Sequence, residues 1–296
     1  MAKIAVELEH ALRRRALNGS AGCIARRRLA RGEGWTVSDV LCTCGPQDRP
    51  FEEQHSGYSI AVVVSGTFQY QGAINSGSAR ELMTPGSLLL GNTGQAFQCG
   101  HEHGQGDRCV SFGYSRDYFE HLAADAGLKG QLAFRVLRLP PLRSLSAAVA
   151  SVQAGLASSD FDWEELSLRI AGQALQLANR LPQHHRAGDL AAEARVTRVV
   201  RRIENGAADR LTISSLAREA KLSPYHFLRI FGRITGLTPH QYLLRARLRG
   251  AALRLVSTQQ KVLDIALDSG FGDVSNFNRA FRVEFGMSPL KYRNPA

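Results

Sequence analysis

Residues 265–289 read IALDSGFGDVSNFNRAFRVEFGMSP, and residues 216–239 read LAREAKLSPYHFLRIFGRITGLTP. These are two copies of one pattern. Leu216, Ala217 and Leu222 match Ile265, Ala266 and Phe271 at a separation of 49 residues. Phe227, Phe231, Gly236, Pro239 and Tyr242 match Phe277, Phe281, Gly286, Pro289 and Tyr292 at a separation of 50, so one residue is inserted between the two groups. A fixed period of this kind marks one supersecondary unit used twice.

Each copy predicts helix, tight turn, helix. In the first, Thr212 is an N-cap candidate, and Leu216, Ala217 and Ala220 give a short helix with a small-residue contact face. Lys221-Leu222 turns the chain, and Ser223-Pro224 combines a capping hydroxyl with proline at the first helical position. Phe227 and Phe231, four apart, face inward, which leaves Tyr225, His226, Leu228 and Arg229 on other faces. Gly236 closes the unit. Thr238-Pro239 starts a further helix that runs to about Val256, carries Arg245, Arg247, Arg249 and Arg254, and joins the two copies. In the second copy residues 262–267 form the short helix, Gly270 turns, and Asp273 or Ser275 caps a helix whose outward positions include Ser275, Asn276, Asn278, Arg279 and Arg282.

Two short helices joined by a tight turn, the second bearing Arg and Asn outward, is the helix-turn-helix arrangement. A helix ~10–12 Å across fits a major groove ~12 Å wide. Arg can donate two hydrogen bonds to guanine and Asn can bond both acceptor and donor of adenine, while surrounding Lys and Arg attract phosphates without reading sequence. Charge agrees. Residues 195–296 hold 18 Lys and Arg against 7 Asp and Glu, whereas residues 1–194 hold 19 of each, so the whole net charge of +11 lies in the last third. One region meets a polyanion and the other does not.

Residues 195–293 closely resemble the DNA-binding domain of the AraC/XylS family of bacterial transcription regulators; the stretch from Ile265 to Phe281, continuing through Phe285-Gly286-Met287-Ser288-Pro289, is similar to that family's signature over its whole length. The resemblance implies two helix-turn-helix units on a shared long helix, each offering a recognition helix to successive major-groove segments. It carries Tyr225, Leu228 and Arg229 over as readers in the first unit and Ser275, Asn276, Asn278 and Arg279 in the second. His226, Arg233 and Arg282 complete the candidate DNA-binding set. Leu228 stands where the family more usually has a polar residue, which favours contact with a thymine methyl over a hydrogen bond.

Residues 35–114 read as many short strands bounded by Gly or Pro, the pattern of a small antiparallel barrel or jelly roll. A turn is expected near residues 72–78. Thr84-Pro85-Gly86 followed by Leu88-Leu89-Leu90 is similar to the Pro-x-Gly region of cupin-type effector domains, which implies an effector-sensing and dimerising domain. Helices follow. Leu145, Val149, Val152 and Leu156 form one apolar stripe; Leu166, Ile170, Ala174, Leu177 and Leu181 form another, opened by Asp162 with Glu165 as a capping box in outline. These stripes either close the open side of the barrel or pair with a second copy. Pro182 ends the second helix, and residues 184–189, which include His184 and His185, are the best linker candidate. The expected architecture is α+β: a cupin-like β-barrel with flanking helices over residues 1–186, a linker over 187–194, and an all-α DNA-binding domain over 195–296.

Cys99, His101 and His103 project from one face if residues 99–103 are extended; with Cys109 and His55 they are candidate ligands for zinc or another borderline metal. A thiol-based redox or electrophile sensor, helped by Arg108 beside Cys109, and plain packing are the alternatives. Five cysteines is an odd count that favours reduced thiols, residues 1–20 lack the apolar core of a secretory signal, and no stretch approaches the ~18 apolar residues of a membrane span. A cytoplasmic location is therefore expected, with no membrane partner. No phosphate-binding Gly loop, H-E-x-x-H motif or nucleophile elbow is present. The expectation is a sequence-specific transcription factor and not an enzyme, with promoter DNA, a small-molecule effector, RNA polymerase and a second copy as partners. The rival readings are a cupin-type metal-dependent enzyme fused to a DNA-binding domain, and an architectural DNA-binding protein.

Overall fold

A computed structural model describes residues 3–74, 77–127, 132–181 and 189–294, and the chain is α+β. After helix α1 (Lys3–Asn18) come strands β1 (Ile24–Gly32), β2 (Trp35–Cys42), β3 (Phe51–Gln54), β4 (Tyr58–Gly66), β5 (Phe68–Ile74), β6 (Gly77–Met83), β7 (Leu88–Gly91), β8 (Ala96–Gly100) and β9 (Asp107–Tyr114). Helix α2 (Arg116–Asp125), the short strand β10 (Arg138–Leu139), α3 (Ser146–Ala157) and α4 (Trp163–Ala178) complete the N-terminal half. The strands form two antiparallel sheets, ordered β1-β2-β9-β4-β7-β10 and β3-β8-β5-β6.

The apolar run of β4 shows how the layers are built. Side chains alternate across a strand. Ile60, Val62 and Val64 face α2, α3 and α4 and join Val110, Phe112, Val149, Leu166 and Ile170. Ala61 and Val63 face the second sheet and join Phe68, Tyr70, Met83 and Cys99. In β7, Leu88 and Leu90 take the helical side and Leu89 the sheet side. A strand buried on both faces needs apolar residues at every position. The two helical stripes therefore close the sheet. Leu166, Ile170 and Ala174 are buried inside the N-terminal core, Leu177 and Leu181 pack on its edge, and the Tyr114 hydroxyl donates to the Ser167 carbonyl at 2.8 Å. This overturns their use as a seam for a second copy. Asp162 caps α4 by accepting from the Glu165 amide.

Two N-terminal elements, α1 and β1, escape the sequence reading. β1 reads IARRRLARG, yet pairs along its length with β2. Its charges are those of an edge strand facing water. The expected linker also overlaps a helix. Residues 182–188, with His184 and His185, lie outside the described residues, as do two residues of the turn expected at 72–78. From Leu190 the chain is helix α5 (Leu190–Asn205), because the Asp189 carboxylate accepts from the amides of Ala191 and Ala192. Residues 190–194, expected to link, are helical.

The C-terminal half continues with α6 (Ile213–Glu219), α7 (Pro224–Thr235), α8 (Pro239–Ser257), α9 (Val262–Asp268), α10 (Val274–Phe285) and α11 (Pro289–Arg293). Phe227, Phe231 and Tyr242 pack with Val196, Val200 and Leu216 in one cluster; Phe277, Phe281 and Phe285 pack with Leu248, Ala252, Ile265 and Ala266 in another. Helix α8 supplies residues to both. It is also seated on the N-terminal half: Leu253 enters the core under the six-stranded sheet and Ala150 of α3 enters the second C-terminal cluster.

Candidate nucleic-acid interface

The repeat folds as its caps dictate. Thr212 and Ser215 form a reciprocal capping box on α6, Ser223 accepts from the His226 amide at the start of α7, and Thr238 with Gln241 boxes α8. In the second unit Asp273, not Ser275, is the cap of α10. Both α7 and α10 end on glycines, Gly236 and Gly286, in the left-handed region at φ 77° and 75°. An L side chain resists that conformation and glycine adopts it freely. Lys221 takes φ 55° in the turn between α6 and α7.

With Phe227, Ile230 and Phe231 buried, the opposite face of α7 is open to solvent. Tyr225 is 78% exposed and Leu228 41%, and His226, Arg229 and Arg233 are exposed beside them. On α10 the buried Phe277, Phe281 and Phe285 leave Ser275, Asn276, Asn278, Arg279 and Arg282 exposed. The structure thus brings these residues to solvent-facing sides of two helices that share α8 as a frame.

One network within this surface was not visible in sequence. The Asn276 amide nitrogens engage Asp273 twice: the backbone N–H donates to Oδ1 at 2.7 Å and the side-chain Nδ2 to Oδ2 at 2.6 Å. The backbone donation is the main reason the Asp273 carboxyl is held below the usual carboxylate range. The freed Asn276 Oδ1 accepts from Arg279 Nη2 at 2.8 Å. Asn276 is thereby committed to orienting Arg279.

The arginines of α8 are engaged within the fold. Arg245 donates to the Pro141 carbonyl at 2.8 Å, Arg247 to the Ala207 carbonyl at 2.7 Å, and buried Arg249 pairs with Glu204 at 2.6 Å. Arg254 lies 3.5 Å from Asp268. These four arginines tie α8 to neighbouring elements.

The Cys/His segment folds differently from the extended reading. β8 ends at Gly100, so Cys99, His101 and His103 do not line one face. Cys99 and Cys109 are buried between the sheets, where burial pushes both thiols well up, and Arg108 turns away from Cys109 to bond Asp39 at 2.8 Å and Glu7 at 2.5 Å. A reactive thiolate beside Arg108 is overturned on that ground. His55 lies elsewhere, 2.8 Å from the Tyr70 hydroxyl and stacked on Phe97, and His103 lies 3.9 Å from Glu102. The group that does converge is Cys42, His101 and Asp107, whose donor atoms all lie within 4.8 Å of one another. Between the sheets is a cavity of about 580 Å³ lined in part by Trp35, Phe51, His55, Tyr58, Phe97 and Tyr114. No helix among the described residues is long and apolar enough to cross a membrane.

Comparison with known proteins places this architecture. A family described as a helix-turn-helix domain matches residues 216–295. The HTH-type transcriptional activator AarP of Providencia stuartii is 33% identical over 91 residues, 31% of this chain and 67% of AarP. The chain belongs to the AraC/XylS family of transcriptional regulators. The transcriptional activator NphR of Rhodococcus sp is 34% identical over 187 residues, which span 63% of this chain and 51% of NphR. The match thus spans about half the length of that curated relative. The C-terminal domain of AraT, a response regulator of Geobacillus stearothermophilus, is a solved structure with 28% identity, a TM-score of 0.34, and coverage of 34% of this chain and 85% of that domain.

Proposed function

We propose that the chain is a sequence-specific transcriptional regulator whose α7 and α10 read two successive major-groove segments. The carrying observation is that the faces of α7 and α10 opposite their buried phenylalanines hold Tyr225, His226, Leu228, Arg229, Arg233, Ser275, Asn276, Asn278, Arg279 and Arg282 in solvent. Arg279, Arg229 and Asn278 supply hydrogen-bonding readout, Leu228 a methyl contact, and Arg233 and Arg282 phosphate attraction. Residues 190–296 form the DNA-binding part. The preceding half is a cupin-like jelly roll that binds a small effector in the cavity between its sheets, without enzymatic turnover, in the cytoplasm.

Selection of random duplexes on the full-length protein tests this reading. The expected outcome is a site with two elements about one helical turn, ~10 bp, apart. No enrichment over scrambled duplex of equal length overturns it.

A further inference from the structure

We propose that Cys42, His101 and Asp107 form a binding site for a zinc-class divalent metal at the inner wall of the N-terminal sheets. Three separate features of the fold build it. The antiparallel register of β2 on β9 sets Cys42 directly opposite Asp107. The turn after β8 brings the His101 ring back, so that Nε2 lies 2.7 Å from Asp107 Oδ1. All three side chains are buried. One donor atom from each lies within 4.8 Å of the other two. A tetrahedral ion with bonds of ~2.0–2.3 Å spaces its ligands ~3.3–3.8 Å apart, so the donors need to move by about an ångström or less.

The chemistry of the set is selective. Thiolate, imidazole and carboxylate together suit zinc, whereas magnesium and calcium take oxygen ligands. Binding releases the Cys42 thiol proton to solvent, and the thiolate and carboxylate then balance the dication around a neutral imidazole. That leaves a buried unit without net charge, which lowers the cost of holding a carboxylate between two sheets. Outer contacts are already in place. The Cys44 amide donates to Cys42 Sγ at 3.5 Å, and the Cys109 thiol donates to Asp107 Oδ2 at 3.3 Å. Such partners orient ligands toward an ion. Cys42, Asp107 and Cys109 also line the cavity of about 580 Å³, which provides an entry path. Of the ligands expected from the segment around Cys99, His101 alone belongs to this group, with Cys109 in a supporting place.

The site is measurable apart from any DNA activity. Cobalt(II) is added to full-length, reduced, tag-free protein that has been stripped with a chelator. One equivalent per chain is expected to give a thiolate-to-cobalt charge-transfer band and the strong visible bands of a four-coordinate ion, and equimolar zinc(II) is expected to bleach them. Cys42→Ser should remove the charge-transfer band; Cys23→Ser, at the exposed cysteine, should keep it. Asp107→Asn retains a hydrogen-bonding partner for His101 and should lower cobalt affinity about tenfold or more. The proposal is overturned by wild-type protein that shows no charge-transfer band at saturating cobalt. It is equally overturned by a band that survives Cys42→Ser or is lost in Cys23→Ser. Should Cys42→Ser fail to fold, unchanged affinity in Asp107→Asn overturns it.

Discussion

Arg279 is not a free side chain waiting for a base: Asn276 holds it at 2.8 Å, and Asp273 holds Asn276. A guanidinium already oriented loses less freedom when it meets guanine. Arg279→Ala is expected to cost ~1–3 kcal/mol at one base position and to relax specificity there. Equal weakening on selected and scrambled duplexes would remove Arg279 from the reading set. Asn276→Ala should give a milder loss of the same kind, since it removes the orienting contact and leaves the reader. In the N-terminal half, burial lowers the His55 pKa to about 4 from its ordinary 6.5. The folded state therefore keeps His55 neutral while the unfolded chain takes up a proton below pH 6.5. Stability attributable to this group is fully present above 6.5 and is lost as pH falls toward 4, a change of about 3 kcal/mol in total. Denaturant titrations across that range should show a shallower acid loss for His55→Gln, which can still bond Tyr70. Identical slopes for the two proteins refute the assignment.

Among the elements, α4 and α8 depart furthest from what their sequences suggest. The stripe of α4 has the period and length of a dimer seam, but Ile170 is 1% exposed within its own chain. Ile170→Asp should thus unfold the N-terminal half, by burying an unpaired charge, rather than yield a folded monomer. Retained N-terminal circular dichroism with a halved molecular mass would reverse this conclusion. Helix α8 carries Arg245, Arg247, Arg249 and Arg254. Its Arg249 is buried on Glu204 and its Arg247 holds the carbonyls of Ala207 and Asp209, so its charge is spent inside the fold. The elements that do match their sequence reading, α6 and α7 and then α9 and α10, owe this to local chemistry. A serine, threonine or aspartate at each start (α9 excepted) and a glycine after α7 and α10 satisfy the orphan backbone groups without help from distant residues.

At the scale of the whole molecule, the two halves are locked by a few long-range polar ties. Arg138 pairs with Glu81 at 2.9 Å and donates to the carbonyls of Ile234 and Thr235 at 2.9 and 3.1 Å, at the C-terminal end of α7. Arg245 reaches Pro141 and, at 3.3 Å, Glu284; Ser146 also bonds Glu284. Arg80 reaches Glu193 of α5 at 3.1 Å. These ties meet α7 and α10 at their C-terminal turns. Arg138→Met should raise amide hydrogen exchange near residues 234–238 and in β10. Arg116→Ala, which breaks an exposed helical ion pair, should leave both unchanged. Exchange in Arg138→Met no faster than in Arg116→Ala would show that the halves are held otherwise.

The sequence by itself determined the repeated helix-turn-helix units, most of their caps, their buried phenylalanines and the outward-facing residues of α7 and α10, because each depends on neighbours within about four positions along a helix. It also placed the strand-rich half, through short apolar and β-branched runs closed by Gly and Pro. Tertiary structure alone decided three things: that the α4 stripe closes its own sheet, that the α8 arginines are internal ties, and that Cys42 meets Asp107 and His101. Cys42 and Asp107 come together through the register of β2 on β9, and Arg138 finds Ile234 across the meeting of two halves. Contacts of that range are set by packing and strand pairing, which leave no periodic trace in the chain.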